Sequence, residues 1–217
     1  MALVVHGHPI STYTRVARLA LEEKGVPYTL ATIAPTQMKS PEHLARHPFG
    51  KMPFMDHDGF WLYEARAIIE YVDVAFSGPP LRAVGAKRAA RMEQIVHVTH
   101  NYVTPAWGGG IVRPRLIGPL IRGIAPDEAE IARDLPQSIH CAGALEGLLG
   151  ETEFLADDHV TFADLMLAPM YYAVSQTPEA AAVLAPFPRL AAWWGRMAER
   201  PSIQATKPDY AALAANR

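Results

Sequence analysis

Apolar and polar positions follow one rhythm over roughly the first third of the chain and another beyond it. Leu3 to His6 is an apolar run of strand length. From Arg15 to Lys24, Val16, Leu19 and Ala20 share one helical face, Arg15, Arg18, Glu22 and Glu23 lie outside it, and Gly25 supplies a stop. The spacing predicts a second strand over Pro27 to Ile33, and so short a strand–helix–strand unit implies a parallel pair with a right-handed crossover. A short helix follows. Pro53 to His57 and Phe60 to Tyr63 then flank Asp58-Gly59, the pair a two-residue hairpin turn prefers because both positions accept positive φ. From Glu64 to Phe76, Ala67, Ile68, Tyr71, Val72 and Ala75 recur at helical spacing, which predicts a helix with one buried face.

Ser77-Gly-Pro-Pro80 stops that helix and stiffens the chain. It divides the sequence into a first domain over 1–77, a linker over 78–86 and a second domain over 87–217. No strand pattern occurs beyond the linker. Helical spacing covers Lys87 to Thr104, Pro126 to Leu149, Phe162 to Gln176 and Pro188 to Arg200, so the second domain is predicted to be all-helical. Gly118 to Pro126 reads as a loop, and Trp107-Gly-Gly-Gly110 as a place where a helix breaks or loosens. Thr161-Phe-Ala-Asp164 is a capping box at the start of a buried helix.

Composition narrows the function classes. Half of the 217 residues are apolar, 19% are charged and the net charge is −2, which is ordinary globular composition. Lys and Arg number 20 against 22 Asp and Glu, scattered, so no basic stripe points to nucleic acid. No apolar run approaches the roughly 20 residues of a membrane helix, no signal peptide is read at the N-terminus, and Cys141 is the single cysteine. A cytoplasmic location follows as the expectation. Glu93, His97, His100 and Thr104 fall near one another on a helical face, yet with no further ligand in view no metal site is expected.

Several pieces together resemble a known family. They are Gly7-His-Pro-Ile-Ser11 with Thr14-Arg15, Leu19-Ala-Leu-Glu-Glu-Lys-Gly25, Pro48-Phe-Gly-Lys-Met-Pro53, Glu64-Ala-Arg-Ala-Ile68, Thr161-Phe-Ala-Asp164, and Phe187-Pro-Arg-Leu-Ala-Ala-Trp193 with Arg200-Pro201. In this order, across nearly the whole chain, they are similar to the glutathione transferases, and within them to serine-type classes such as phi and related bacterial enzymes. The resemblance implies an α/β thioredoxin-like N-terminal domain that binds glutathione and an all-α C-terminal helical bundle that forms the electrophile pocket. It implies conjugation of glutathione thiolate to a small hydrophobic electrophile, with glutathione as co-substrate and no metal. Glutathione-dependent peroxidase, isomerase or dehalogenase chemistry would use the same thiolate, and a noncatalytic binding protein of the same fold stays open.

From residue type and position alone, Ser11 is explained as a helix N-cap. The resemblance assigns it catalysis: its hydroxyl donates a hydrogen bond to sulfur while the positive helix end favours the thiolate over a thiol of ordinary pKa about 8.5. The resemblance also implies that Met52 offers its main chain to glutathione beside a cis Pro53, in the manner of an added strand. Glu64 would receive the γ-glutamyl ammonium and the helix start at Ala65 its carboxylate. The family commonly has a serine or threonine where this chain has Ala65, so a hydroxyl is missing there. Lys39 and Lys51 are candidates for the glycyl carboxylate, and Tyr13, His100 and Trp107 for the electrophile pocket. A homodimer is expected, with Phe49 at the interface.

Overall fold

The structure is a computed structural model and describes residues 2–210. It divides into two compact units: one runs to Leu81 and takes back Arg200–Pro208, and the other comprises Arg82–Glu199 with Asp209 and Tyr210.

The first unit is a four-stranded sheet with helices. Strand β1 (Leu3–Gly7) leads into α1 (Thr12–Lys24) and β2 (Thr29–Thr32). A 3-10 turn (Pro35–Lys39) and α2 (Pro41–Arg46) follow. The hairpin β3 (Phe54–His57) and β4 (Phe60–Tyr63) and helix α3 (Ala65–Ala75) complete it. The strand order is β2-β1-β3-β4. β1 pairs parallel with β2 (Val5 opposite Leu30) and antiparallel with β3 (Val5 opposite Met55), so the expected crossover and hairpin are both present. Asp58 and Gly59 take φ of 49° and 90°, the positive values for which that pair is suited. Leu3 and Val5 of β1 are buried, as are Val16, Leu19 and Ala20 of α1 and Ile68, Ile69 and Val72 of α3. These apolar faces form the unit's core.

Helix α1 ends where Gly25 turns left-handed at φ 66°, its N–H donating to the Glu22 carbonyl and that of Val26 to Leu21. Lys24, at the last turn, is buried against Asp73 of α3 at 2.8 Å. Asp73 also accepts the Leu81 N–H at 3.0 Å, and the Lys24 ammonium donates to the Pro79 carbonyl at 3.1 Å. The proline-rich segment is thereby pinned rather than free.

The second unit is helical throughout. Its elements are α4 (Ala86–Val98), a π-helix (Thr99–Ile117), α5 (Gly118–Arg122), α6 (Glu128–Leu148), α7 (Phe162–Ser175), α8 (Ala180–Val183) and α9 (Pro188–Ala198). One expectation is made specific here and one is corrected. The three glycines loosen the helix without breaking it, lying inside the π-helical winding; a Cβ on Gly110 would come within 2.7 Å of Asp134, and one on Gly108 within 3.1 Å of Met170. Gly110 and Gly108 are small because α6 and α7 pack against them, whereas Gly109 faces open space. Gly118–Arg122, read from sequence as loop, is helical and is stopped by Gly123 at φ 65°.

A second correction concerns α10 (Pro201–Thr206), which the sequence assigns to the helical half and which packs instead on α1. The nearly buried Glu23 carboxylate accepts from Arg200 Nε at 2.8 Å and from the Ser202 hydroxyl, while Arg18 donates to the Ala205 carbonyl at 3.1 Å. Those partners draw the segment back to the first unit.

Candidate active site

The site grows from the loop between β1 and α1. Ser11 is extended (φ −67°, ψ 122°) and stands at the N-cap of α1. Its N–H donates to the His8 carbonyl at 2.9 Å, its carbonyl accepts the Arg15 N–H at 3.0 Å, and its hydroxyl oxygen accepts the Thr14 N–H at 3.3 Å. Thr14 is fully buried, and a Cβ on Gly7 would meet its hydroxyl at 2.3 Å. Gly7 therefore lets the first turn of α1 settle against the end of β1.

The loop is bound to the segment before β3. The His8 N–H donates to the Met52 thioether at 3.2 Å, and the Ile10 N–H reaches His8 Nδ1 at 3.4 Å, which makes Nδ1 the acceptor. Burial lowers the His8 pKa, so this ring is neutral near pH 7. The Met52–Pro53 peptide bond is cis. Among the described residues the Met52 main-chain N–H and C=O have no hydrogen-bond partner. The clasp between His8 and the Met52 sulfur was not legible from sequence, because a thioether as acceptor leaves no signature in spacing.

Glu64 links β4 to α3 with φ 73° and ψ 114°. Asp58 is the other non-glycine residue with positive φ among those described, and it sits in a turn that suits it. Glu64 lies outside the left-handed helical well, a conformation costing about 1–3 kcal/mol. Its exposed side chain does not cap α3, so the helix start is left to its own N–H groups, beginning with Ala65.

Lys39 and Lys51 are both exposed and lie on adjacent segments. Gly50 (φ 58°) runs so close to the 3-10 turn that a Cβ would stand 2.9 Å from the Met38 carbonyl and 3.9 Å from Lys39. His43 Nε2 lies 2.8 Å from the Lys51 carbonyl and anchors that segment to α2. Beside it, Phe49 is 67% exposed and meets His47 and Tyr63 edge-on. A core role for Phe49 is excluded.

The residues named for an electrophile pocket fare differently. Tyr13 is half-buried on α1, and His100 is exposed on the π-helix. Trp107 is no pocket wall: it is fully buried, packs edge-on against Tyr171 and donates from Nε1 to the Ser138 carbonyl at 2.9 Å, inside the second unit's own core. Among the described residues no three His, Cys, Asp or Glu are gathered as a metal would require. Cys141 is buried and its thiol pKa is raised by burial. No helix among the described residues is long and apolar enough to cross a membrane.

A four-stranded α/β sheet with a serine at the first helix start and a cis proline opening the hairpin defines a thioredoxin-like unit, here joined to a helical one. Residues 5–80 match the glutathione S-transferase N-terminal domain and residues 111–201 the glutathione S-transferase C-terminal domain. A probable glutathione S-transferase GSTF2 of Oryza sativa subsp. japonica is 31% identical over 92% of this chain and 93% of its own. Glutathione S-transferase 1 of Zea mays is 33% identical over 85% and 86%. The crystal structure of glutathione transferase F7 from Populus trichocarpa superposes with a TM-score of 0.84 at 30% identity, covering 98% of this chain and 99% of that one. Glutathione S-transferase I from maize in complex with an atrazine glutathione conjugate gives 0.83 at 30% identity, covering 99% of both. The chain belongs to the glutathione S-transferase family.

Proposed function

We propose that this protein binds glutathione, holds its sulfur as thiolate at Ser11 and transfers it to a small hydrophobic electrophile. The observation that carries this reading is the Ser11 hydroxyl: it accepts one backbone N–H and keeps its proton to donate, at the positive end of a 13-residue helix. The thiol proton leaves to solvent, and the sulfur lone pair forms the S–C bond. In a substitution the leaving group departs with its electron pair; in an addition the product carbanion or oxyanion takes a proton from water.

The rest of the first unit supplies a fit for the tripeptide. The uncommitted N–H and C=O of Met52 suit the cysteinyl main chain, as an added antiparallel strand would be held. Glu64 suits the γ-glutamyl ammonium and the α3 start at Ala65 its carboxylate, while Lys39 and Lys51 offer charge to the glycyl end. A maize relative has been crystallised with a glutathione conjugate, in keeping with this assignment. Exposed Phe49 supports a homodimer in which that ring is covered by a second copy, and the single, buried cysteine suits a reducing cytoplasm.

Ala65 favours a second reading, a binding protein of the same fold with weakened glutathione affinity and no turnover. Titration calorimetry with glutathione, paired with turnover of an activated aryl chloride, separates the two. Saturable binding with turnover, and a bound-thiol pKa that rises in Ser11→Ala, is the expected result. Unchanged turnover in Ser11→Ala would sink the catalytic role.

A further inference from the structure

The sheet of the first unit has a second face with chemistry of its own. Helices α1 and α3 pack together on the side where Leu3 and Val5 are buried. Alternation and register place His6, Phe54 and Asp56 on the opposite side, with Trp61 across from Asp56. Helix α2 and the 3-10 turn roof this face incompletely and leave a cleft of about 240 Å³, lined by His6, Phe54 and Trp61 below and by Gln37, Glu42 and Arg46 above.

The floor is aromatic. His6 stacks on Phe54 with centroids 4.4 Å apart and planes 14° from parallel, and Trp61 lies 5.7 Å from both rings. Burial lowers the His6 pKa, opposed by Asp56, so the ring is uncharged near pH 7. At the rim, Glu42 and Arg46 stand four apart on α2 with the acid first, an order that ordinarily pairs. They do not pair here. The Arg46 guanidinium lies 3.8 Å from the Trp61 ring centroid, and among the described residues neither Arg46 nor Glu42 has a hydrogen-bond or ion-pair partner. The cleft thus combines a stacking floor with one unmatched set of donors and one unmatched acceptor.

We propose that this cleft is a second small-molecule site, taking an uncharged planar aromatic of one or two fused rings that carries both hydrogen-bond donors and acceptors. The ring lies on His6, an acceptor oxygen faces the Arg46 guanidinium held over Trp61, and a hydroxyl or N–H faces Glu42. An anion would meet Glu42 and a cation would meet Arg46, so the neutral ligand is selected. The volume is below the roughly 300–1,000 Å³ of pockets for drug-sized molecules, and it excludes a tripeptide. None of the residues assigned above to glutathione lines it.

The probe is 7-hydroxycoumarin, kept uncharged in mildly acidic buffer and titrated by its fluorescence against the full chain, with coumarin lacking the hydroxyl as its partner. Saturable binding that persists in saturating glutathione is expected. Glu42→Gln and Arg46→Gln, both at exposed positions, should each weaken it about 3–10-fold, with turnover of the aryl chloride unchanged. Coumarin should bind more weakly and be indifferent to Glu42→Gln. The proposal is overturned if binding does not saturate, if glutathione displaces the probe, or if both variants bind it like the parent.

Discussion

The Thr14 backbone N–H meets the Ser11 hydroxyl oxygen at 3.3 Å, just beyond the usual range for such a bond. Capping and thiolate stabilisation are therefore not rivals for this serine. A hydroxyl has one proton and two acceptor sites, and the cap occupies only an acceptor site. The two roles can be pulled apart. Ser11→Ala loses both, at about 1 kcal/mol of stability and roughly 10–100-fold in turnover. Ser11→Asp keeps an equally good cap but brings a negative acceptor to the sulfur, so urea melts should match the parent while the bound thiol's pKa rises and turnover falls at least as far as in the alanine variant. An aspartate variant with parental turnover would refute the donor role.

Ala65 stands at the start of α3, where Glu64 provides no side-chain cap. A hydroxyl here would offer one more donor to the γ-glutamyl carboxylate. Ala65→Ser is expected to lower KM for glutathione about 2–10-fold, with kcat nearly unchanged, because the contact is far from sulfur and binds ground state and transition state alike. A KM unchanged in this variant would mean that the hydroxyl at this helix start does not reach glutathione.

What was legible in the sequence is what neighbours decide. Asp58-Gly59, Gly25 and the Thr161–Asp164 capping box depend on local dihedrals and local hydrogen bonds, and each sits where the pattern puts it. What was not legible depends on distant partners. The π-helical winding through Gly108 and Gly110 is tied to Met170 and Asp134, and α10 is recruited by Glu23 through Arg200 and Ser202. The positive φ of Glu64 is invisible to propensity, since glutamate has no preference for that region. Trp107 looks from sequence like a pocket residue beside glycines; only its bond to the Ser138 carbonyl, 31 positions away, shows it to be core.

Asp164 is fully buried and all four of its acceptor sites are used. Oδ1 accepts from the Leu155 N–H at 3.0 Å and Trp193 Nε1 at 2.8 Å; Oδ2 accepts the Thr161 N–H and hydroxyl, each at 2.8 Å. Burial pushes the pKa up, against these four donors. Asp164→Asn keeps the shape but turns an NH2 toward donors that then lack a partner. A loss of about 3 kcal/mol or more is expected in urea unfolding, with Asp164→Ala costing at least as much. An asparagine variant as stable as the parent would show that the carboxylate is not what closes this corner.

The pH dependence of stability follows from groups with opposite shifts. His6, His8 and His47 all have pKa values lowered from 6.5, with burial the first cause in each; Asp56 opposes it at His6 and Glu64 at His47. In the unfolded chain each histidine takes its proton near 6.5, while in the folded chain it does so only at lower pH. Below about 6.5 the unfolded state binds more protons, so the stability these rings contribute is full above that value and lost as pH falls through their folded pKa values. Tyr171 behaves in the other sense. Burial raises its pKa from 10.0 to about 12, with Glu146 adding to the shift, so its contribution is intact below 10 and lost as pH rises toward 12. Thermal melts should therefore show a plateau with an acid limb beginning near pH 6.5 and an alkaline limb beginning near pH 10. His6→Gln and His47→Gln should each flatten the acid limb and leave the alkaline one in place, whereas Tyr171→Phe should do the reverse. An acid limb that in both histidine variants stays identical to the parent's would assign it to carboxylates instead.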